Sequence, residues 1–345
     1  MLRPLGWAYG QIMRIRAASY ARGLFSCYSP TVPCVSVGNI SWGGSGKTPL
    51  TGWLLAWAGR QGLTPAVLTR GYGGKPPHTP YLVAQDSPWQ ESGDEPLLLA
   101  RAAPHARVVV DPVRKRSGPW VQQQFSPDLV VLDDGMQHLA VQRHCNLVLL
   151  HPLDLEQHWN RVVPCGPWRE SSAALARAHA FLIKSFPQEF QDLVPMAKKR
   201  LARFGAPVFG FSLESEAIRH VAGPECHEDL KTRQYILVTA VARPGQVAAS
   251  AHQAMGAPPM ERVVHRDHHP FSQADVAQLE VKMERQGAEI AVCTPKDAVK
   301  LVGLAWRKPL YSLVPELRFH EGPEGSFPQW WESTWQTLKE TVHGP

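Results

Sequence analysis

The chain has 345 residues, 44% of them hydrophobic, with no low-complexity tract or internal repeat, so it can bury a sizeable core and is neither a disordered nor a fibrous protein. No apolar run reaches the roughly 18 to 20 residues of a membrane span and the N-terminus lacks the unbroken apolar centre of a signal peptide, which reads as a protein that stays in the cytoplasm. The formal net charge is +6, and the six scattered cysteines, Cys27, Cys34, Cys145, Cys165, Cys226 and Cys293, include no Cys-x-x-Cys pair, which speaks for free thiols against a zinc ribbon or redox motif.

The charge is unevenly placed. Arg3, Arg14, Arg16, Arg22, Lys47, Arg60, Arg70 and Lys75 all precede the first acidic residue, Asp86, a bias suited to an anionic surface of phospholipid or nucleic acid. Within Met1 to Phe25, Leu2, Leu5, Tyr9, Ile12, Met13, Ala17, Tyr20 and Leu24 recur at mostly three- and four-residue steps among the arginines. That spacing predicts a basic amphipathic helix, which either lies in a membrane interface or packs on its own domain, and the two uses are compatible.

An apolar strand, Cys34 to Val37, then runs into Gly38-Asn39-Ile40-Ser41-Trp42-Gly43-Gly44-Ser45-Gly46-Lys47-Thr48, followed by a helical segment, Pro49 to Arg60. Strand, glycine loop and helix are the context of a phosphate-binding P-loop. Glycines let successive backbone N–H groups turn onto a polyphosphate, the helix N-terminus adds its positive end, and Lys47 reaches the terminal phosphates while Thr48 faces Mg²⁺. The strict pattern asks for glycine where Ser41 stands.

Ala66 to Thr69 reads as the next strand, giving a strand-helix-strand unit. It leads to Arg70-Gly71-Tyr72-Gly73-Gly74, either a surface turn or a ligand loop at the carboxyl end of the sheet. Gly93-Asp94-Glu95-Pro96 precedes a helical pattern, Leu97 to Ala102, and paired acids there also suit the helix dipole. Arg107 to Asp111 reads as a strand, followed by Arg114-Lys115-Arg116, a solvated face or an anion-binding group. Leu129 to Leu132 is an apolar strand ending in Asp133-Asp134-Gly135-Met136-Gln137-His138, and a strand-end carboxylate is what a P-loop nucleotidase uses to hold Mg²⁺.

Further strands follow at Cys145 to Leu150 and Phe181 to Ile183, separated by the proline- and tryptophan-rich loop Asn160 to Glu170. A helical connector, Pro187 to Arg203, and a strand, Pro207 to Leu213, lead out of the first domain. From Tyr235 a second alternation begins: Tyr235 to Ala240, Ala242-Arg243-Pro244, a helix, Arg262 to His265, Asp267-His268-His269-Pro270-Phe271, a helix from Ser272, Ala288 to Thr294 and Leu310 to Val314. The fold class is therefore α/β, a P-loop NTPase-type, mainly parallel sheet with helices on both faces plus a smaller C-terminal α/β domain. The expected division is 1–30, the basic helix; 31–215, a P-loop domain; and 216–345, a smaller α/β domain. His265, Asp267, His268 and His269 are open to three readings, a metal site, a solvated loop or a catalytic or substrate-contacting histidine, of which the last is favoured.

Together these motifs resemble the tetraacyldisaccharide 4'-kinase family over most of the chain. The residues that carry the resemblance are Gly38-Asn39, Gly43 to Pro49, Arg70-Gly71-Tyr72, Gly93 to Pro96, Asp133 to His138, Pro164 to Glu170, Ala242-Arg243-Pro244 and Asp267 to Phe271. In that family Ser or Thr is ordinary at the Ser41 place. Two departures stand out: Val241 where Gly is common, and Pro295 where Glu precedes Lys296-Asp297-Ala298. The resemblance implies ATP-dependent transfer of the γ-phosphoryl group to the 4'-hydroxyl of tetraacyldisaccharide 1-phosphate, giving lipid IVA in lipid A biosynthesis. It also implies a peripheral protein on the cytoplasmic face of the inner membrane of a Gram-negative bacterium. By the same resemblance 31–215 is a P-loop kinase domain and 216–345 closes over the site.

The roles it carries over follow the motifs. Ser41, Trp42, Gly43, Gly44, Ser45, Gly46, Lys47 and Thr48 would hold ATP, and Thr48 with Asp133 or Asp134 would hold Mg²⁺. Asp94 would accept the hydroxyl proton, with His268 pairing to it across the domains. Arg70, Tyr72, Glu95, Arg114, His138, Arg169 and Glu170 are candidate substrate contacts, His138 also as a support for the metal carboxylates. A P-loop switch ATPase with a membrane-bound partner would explain the loop and basic helix equally well, but a switch has no use for Asp94 and His268, and the guanine tetrad Asn-Lys-x-Asp is absent. Nucleic acid is not an expected partner, since the basic residues lie beside apolar ones at helical spacing.

Overall fold

The structure is a computed structural model that describes residues 3–221 and 230–343. Cys226 lies outside the described residues, and the other five cysteines are free thiols.

The chain opens with α1 (Arg3–Ala21) and enters the sheet at β1 (Cys34–Asn39), from which the glycine loop leads to α2 (Lys47–Arg60). There follow β2 (Pro65–Thr69), β3 (Tyr81–Leu82), the single turn α3 (Trp89–Ser92), α4 (Asp94–Ala102), β4 (Arg107–Val110), α5 (Arg114–Phe125) and β5 (Leu129–Asp133). Then come β6 (Cys145–Leu150), the short α6 (Pro152–Leu155), β7 (Ala180–Lys184), α7 (Pro187–Leu201) and the long β8 (Val208–His220). The C-terminal half adds β9 (Tyr235–Thr239), α8 (Pro244–Met255), β10 (Glu261–Val264), α9 (Gln273–Gln286), β11 (Ile290–Cys293), α10 (Pro295–Leu301), β12 (Leu310–His320) and α11 (Phe327–His343).

Among the described residues the twelve strands form one sheet in the order β10-β9-β11-β12-β8-β7-β6-β1-β5-β2-β4-β3. Pairing is parallel within each half except for the short edge strand β3, which runs antiparallel to β4, and β8 and β12 form a long antiparallel ribbon between the halves, with a bulge at Val314/Pro315. β8 joins β7 in parallel at one end, and β12 joins β11 in parallel at the other.

Strict alternation along the strands explains why both faces are covered. Leu129 and Val131 of β5 point into a core with α2, α4 and α11, while Val130 and Leu132 point into a second core with Val121 of α5. The C-terminal half repeats the device: Ile236 and Val238 meet α9 at Val276, Leu279 and Met283, and Tyr235 and Leu237 meet α8 at Ala251, Ala254 and Met255.

Several features depart in extent from the sequence reading, among them β8, which runs past Leu213 to His220. The helix after the glycine loop begins at Lys47, two residues before Pro49. β12 continues past Val314 to His320 because its second half is held by pairing with β8, although Pro315, Glu316 and Arg318 break the apolar run. The terminal helix α11 returns to the first half, where Trp331 and Trp335 pack edge-on against Trp57 at 5.3 and 5.1 Å. Helix α1 docks through Tyr9 and through Arg16, whose guanidinium donates to the Gln137 carbonyl at 3.2 Å, while Leu5, Trp7, Ile12 and Ile15 stand 59–69% exposed. No helix among the described residues is long and apolar enough to cross a membrane.

Candidate active site

The register of the sheet builds the site. β1 lies between β5 and β6, and Val37 pairs with Asp133, so the glycine loop and the strand-end acids leave the sheet side by side. This is the carboxyl edge of the parallel strands, where ligands bind in open α/β sheets. Two glycines are required there. Gly46 caps α2 at φ 91°, a left-handed conformation, and a Cβ on Gly38 would stand 2.6 Å from the Met136 Cβ.

The Ser41 hydroxyl donates to Asp154 Oδ2 at 2.9 Å, and the same carboxylate accepts the Trp168 indole N–H at 2.9 Å through its other oxygen. A serine at this place therefore fastens the loop to the 160–170 segment, which glycine could not do. Ser45 is buried, while Trp42 is 65% exposed under the Arg169 guanidinium, 5.5 Å from the ring centroid. Lys47 Nζ donates to Asn39 Oδ1 at 3.2 Å and lies 3.6 Å from Asp134 Oδ1.

The adjacent acids live in opposite environments. Asp133 is buried, accepts from the Thr69 hydroxyl at 3.1 Å through Oδ2, and has no partner for its buried Oδ1. Burial, with Glu95 adding repulsion, pushes its carboxyl up to about 6. Asp134, in a left-handed conformation at φ 49°, receives both Arg169 guanidinium nitrogens at 2.9 Å. Burial alone would raise it, but Lys47 and Arg169 outweigh that and hold it well below the usual carboxylate range. Arg114 is buried and donates to the Asp133 carbonyl at 2.8 Å. The basic cluster after β4 is thus divided, since Arg116 instead forks onto buried Asp111 at 2.9 and 2.7 Å.

Across the cleft, α4 starts at Asp94 itself. Its buried carboxylate meets His268 Nδ1 at 3.0 Å through Oδ2, and Lys300 Nζ stands 3.5 Å from the same oxygen. Burial raises the Asp94 carboxyl, but the His268 hydrogen bond with Lys296 and Lys300 more than offsets it, leaving it below its ordinary value. His268 is held at φ 59° with its N–H on the Ala240 carbonyl at 3.2 Å. Its other nitrogen meets Lys296 Nζ at 3.0 Å; Lys296 also binds Glu95 Oε1 at 3.2 Å, and the Thr48 hydroxyl donates to Glu95 Oε2 at 3.1 Å. A continuous polar chain therefore runs from the glycine loop to the acid–imidazole pair.

Lys296 and Lys300 carry no assigned role in the sequence reading. Their i, i+4 spacing on α10 was the available signal, and Pro295 fits because it occupies the first turn of that helix, where no N–H is needed. The histidine segment divides: His268 faces Asp94, whereas His265 and His269 stack at 4.4 Å with His269 Nε2 3.4 Å from Asp275 Oδ2. The remaining candidates lie around the cleft. Tyr72 and Arg70 are exposed, with the Tyr72 ring 5.3 Å from His268. Glu170 is buried against Arg177 at 2.6 Å, and His138 has a buried, unpartnered Nε2 and is pushed down to about 3 by burial and then by Arg114.

A phosphate loop opposite an oriented carboxylate can hold a nucleotide and deprotonate an acceptor, which makes this a P-loop phosphotransferase. A family model described as tetraacyldisaccharide-1-P 4'-kinase matches residues 1–329. The chain is 45% identical over 343 residues to the tetraacyldisaccharide 4'-kinase of Nitratidesulfovibrio vulgaris, covering 98% of this chain and 94% of that one. It is 47% identical over 350 residues to that of Oleidesulfovibrio alaskensis, covering 98% and 96%. A solved structure of LpxK from Aquifex aeolicus in complex with ATP superposes with a TM-score of 0.75 at 27% identity, covering 99% of this chain and 98% of that one. The chain belongs to the tetraacyldisaccharide 4'-kinase family.

Proposed function

We propose that this protein transfers the γ-phosphoryl group of ATP to the 4'-hydroxyl of tetraacyldisaccharide 1-phosphate, forming lipid IVA, with Asp94 as the base. The observation that carries the reading is the polar chain Thr48–Glu95–Lys296–His268–Asp94, which ties a proton acceptor to the phosphate loop. Lys47 leaves Asp134 for the β- and γ-phosphates, and the loop amides surround them. Asp94 takes the hydroxyl proton as the oxygen attacks the γ-phosphorus; the bond to the bridging oxygen breaks and ADP departs. His268 and Lys300 keep the carboxylate ionised and aimed.

Thr48, Asp133 and Asp134 would hold Mg²⁺, which when bound neutralises charge on the transferring phosphate. Asp133 fits that use, because its buried Oδ1 has no hydrogen-bond partner and is free to take a cation. The exposed Leu5, Trp7, Ile12 and Ile15 of α1, interleaved with Arg14 and Arg16, suit a helix resting on the cytoplasmic face of the inner membrane, where a lipid acceptor lies.

The test is transfer from γ-labelled ATP to purified tetraacyldisaccharide 1-phosphate in mixed micelles, comparing wild type with Asp94→Ala and Lys47→Ala. Labelled lipid with wild type and little with either variant is expected. Release of free phosphate by wild type without labelled lipid would overturn the lipid-kinase reading and favour a switch-type ATPase.

A further inference from the structure

Most cations at the cleft are balanced by an acid: Lys47 and Arg169 by Asp134, Lys296 by Glu95, and Lys300 by Asp94 and Asp297. Two half-buried ones beside the phosphate loop are not. Lys184, the last residue of β7, has its ammonium 3.4 Å from the neutral Gln246 Oε1. Arg243, just before α8, has an Nη1 sealed from solvent with no hydrogen-bond partner. Neither forms an ion pair with a carboxylate among the described residues.

Both lie against the loop glycines. A Cβ built on Gly46 would be 3.7 Å from Lys184 Cδ, and one on Gly43 would be 3.8 Å from Arg243 Nη2. Their fields are felt locally: burial and then Arg243 push the Lys184 ammonium down to about 8, and burial followed by Arg243 and Lys184 pushes His151 down to about 4. Desolvating a cation without a counter-charge is costly, and here two such cations converge on one loop from different halves of the sheet. The arrangement is preset for an anion.

We propose that Lys184 and Arg243 form a second clamp on the phosphate tail of the bound nucleotide, Lys184 from the strand edge beside the loop and Arg243 from the C-terminal half. The clamp rests on the nucleotide-binding reading of the loop and extends it, because the nucleotide then draws the two halves together. A phosphate on the acceptor offers the same chemistry. Contact with Gly43 and Gly46, whose loop amides would face the nucleotide, assigns the anion to the nucleotide.

The test titrates ATP, ADP and AMP onto the full chain for wild type, Arg243→Ala, Arg243→Lys and Lys184→Met, and measures KM for each substrate. Each charge removal is expected to weaken ATP by ~10- to 100-fold, ADP less and AMP hardly at all, with Arg243→Lys recovering part of the loss and the acceptor KM unmoved. The nucleotide-free Lys184→Met protein is expected to melt at or above the wild-type temperature, since an unbalanced cation is gone; a merely structural lysine would lower it. ATP affinities within twofold of wild type would overturn the clamp, as would a KM change confined to the acceptor, which would assign the cations to the acceptor phosphate. Wild type that binds ATP but labels no lipid would sink the acceptor assignment and leave the clamp standing, whereas wild type that binds no ATP would overturn both.

Discussion

Asp94 illustrates how a buried carboxylate is kept ready to take a proton. Burial favours its neutral form, and His268 at 3.0 Å and Lys300 at 3.5 Å reverse that preference. Asp94→Asn removes the proton acceptor while preserving shape, so kcat should fall by ~10² or more with ATP affinity nearly unchanged. Single-turnover transfer and nucleotide titration separate the two, and a variant with near-normal turnover would remove Asp94 from the role. The same group has a stability signature. Its folded value lies below its unfolded one, near 3.8, so its contribution is full above that pH and is lost as the pH falls through the folded value. Asp94→Asn should therefore flatten that part of the acid unfolding curve followed by circular dichroism. The glycine loop and the strand-end acids were legible in the sequence because each stands at a fixed offset from an element boundary, whereas Asp94, at a helix start where acids also suit the dipole, took its expected role only from the family resemblance. Lys296 and Lys300 gave no such sign: their meaning comes from α10 packing on α4, a contact between residues about 200 positions apart.

At the scale of the elements, the inner strands of each half read clearly because they are buried on both faces as short apolar runs, whereas α11 did not. Its tryptophans are spaced for a face, but only the returning chain shows that the face meets α2. Trp331 is fully buried there, so Trp331→Ala should destabilise the protein by ~3–5 kcal/mol while leaving the groups of the cleft untouched. Urea unfolding measures this, and a loss below ~1 kcal/mol would show that the helix contributes little to the first core. Helix α1 makes a separate demand. Its outer stripe of Leu5, Trp7, Ile12 and Ile15 is not used by the fold, so Trp7→Ser with Ile12→Ser should leave the melting temperature nearly unchanged. The same pair should weaken co-sedimentation with anionic phospholipid vesicles several-fold. Unchanged vesicle binding would assign that stripe to something other than lipid.

For the molecule as a whole, the sheet is continuous, yet the site is assembled across the β8–β12 ribbon from two sets of loops. The most deeply buried ion pair between them is made by Lys300, which is nearly inaccessible and lies 3.5 Å from Asp94 Oδ2 and 3.7 Å from Asp297 Oδ1. Asp297 is itself pushed up by burial, against the pull of the Thr294 hydroxyl and Lys300. Lys300→Met fits a similar volume but leaves two buried carboxylates facing each other, which should cost ~3–5 kcal/mol at neutral pH. The sign of the pH dependence follows. Asp297 is already raised, and without the ammonium it titrates at still higher pH in the folded state, so the missing stability should return on acidification toward 3.8, as its carboxyl becomes protonated. In the wild type the Asp94 contribution stays constant over the same range, since it is lost only as the pH falls below 3.8. A steeper rise of melting temperature with falling pH in the variant than in the wild type is therefore expected in the weakly acid range. Parallel slopes would mean that Lys300 is not what holds the Asp297 carboxyl toward its charged form.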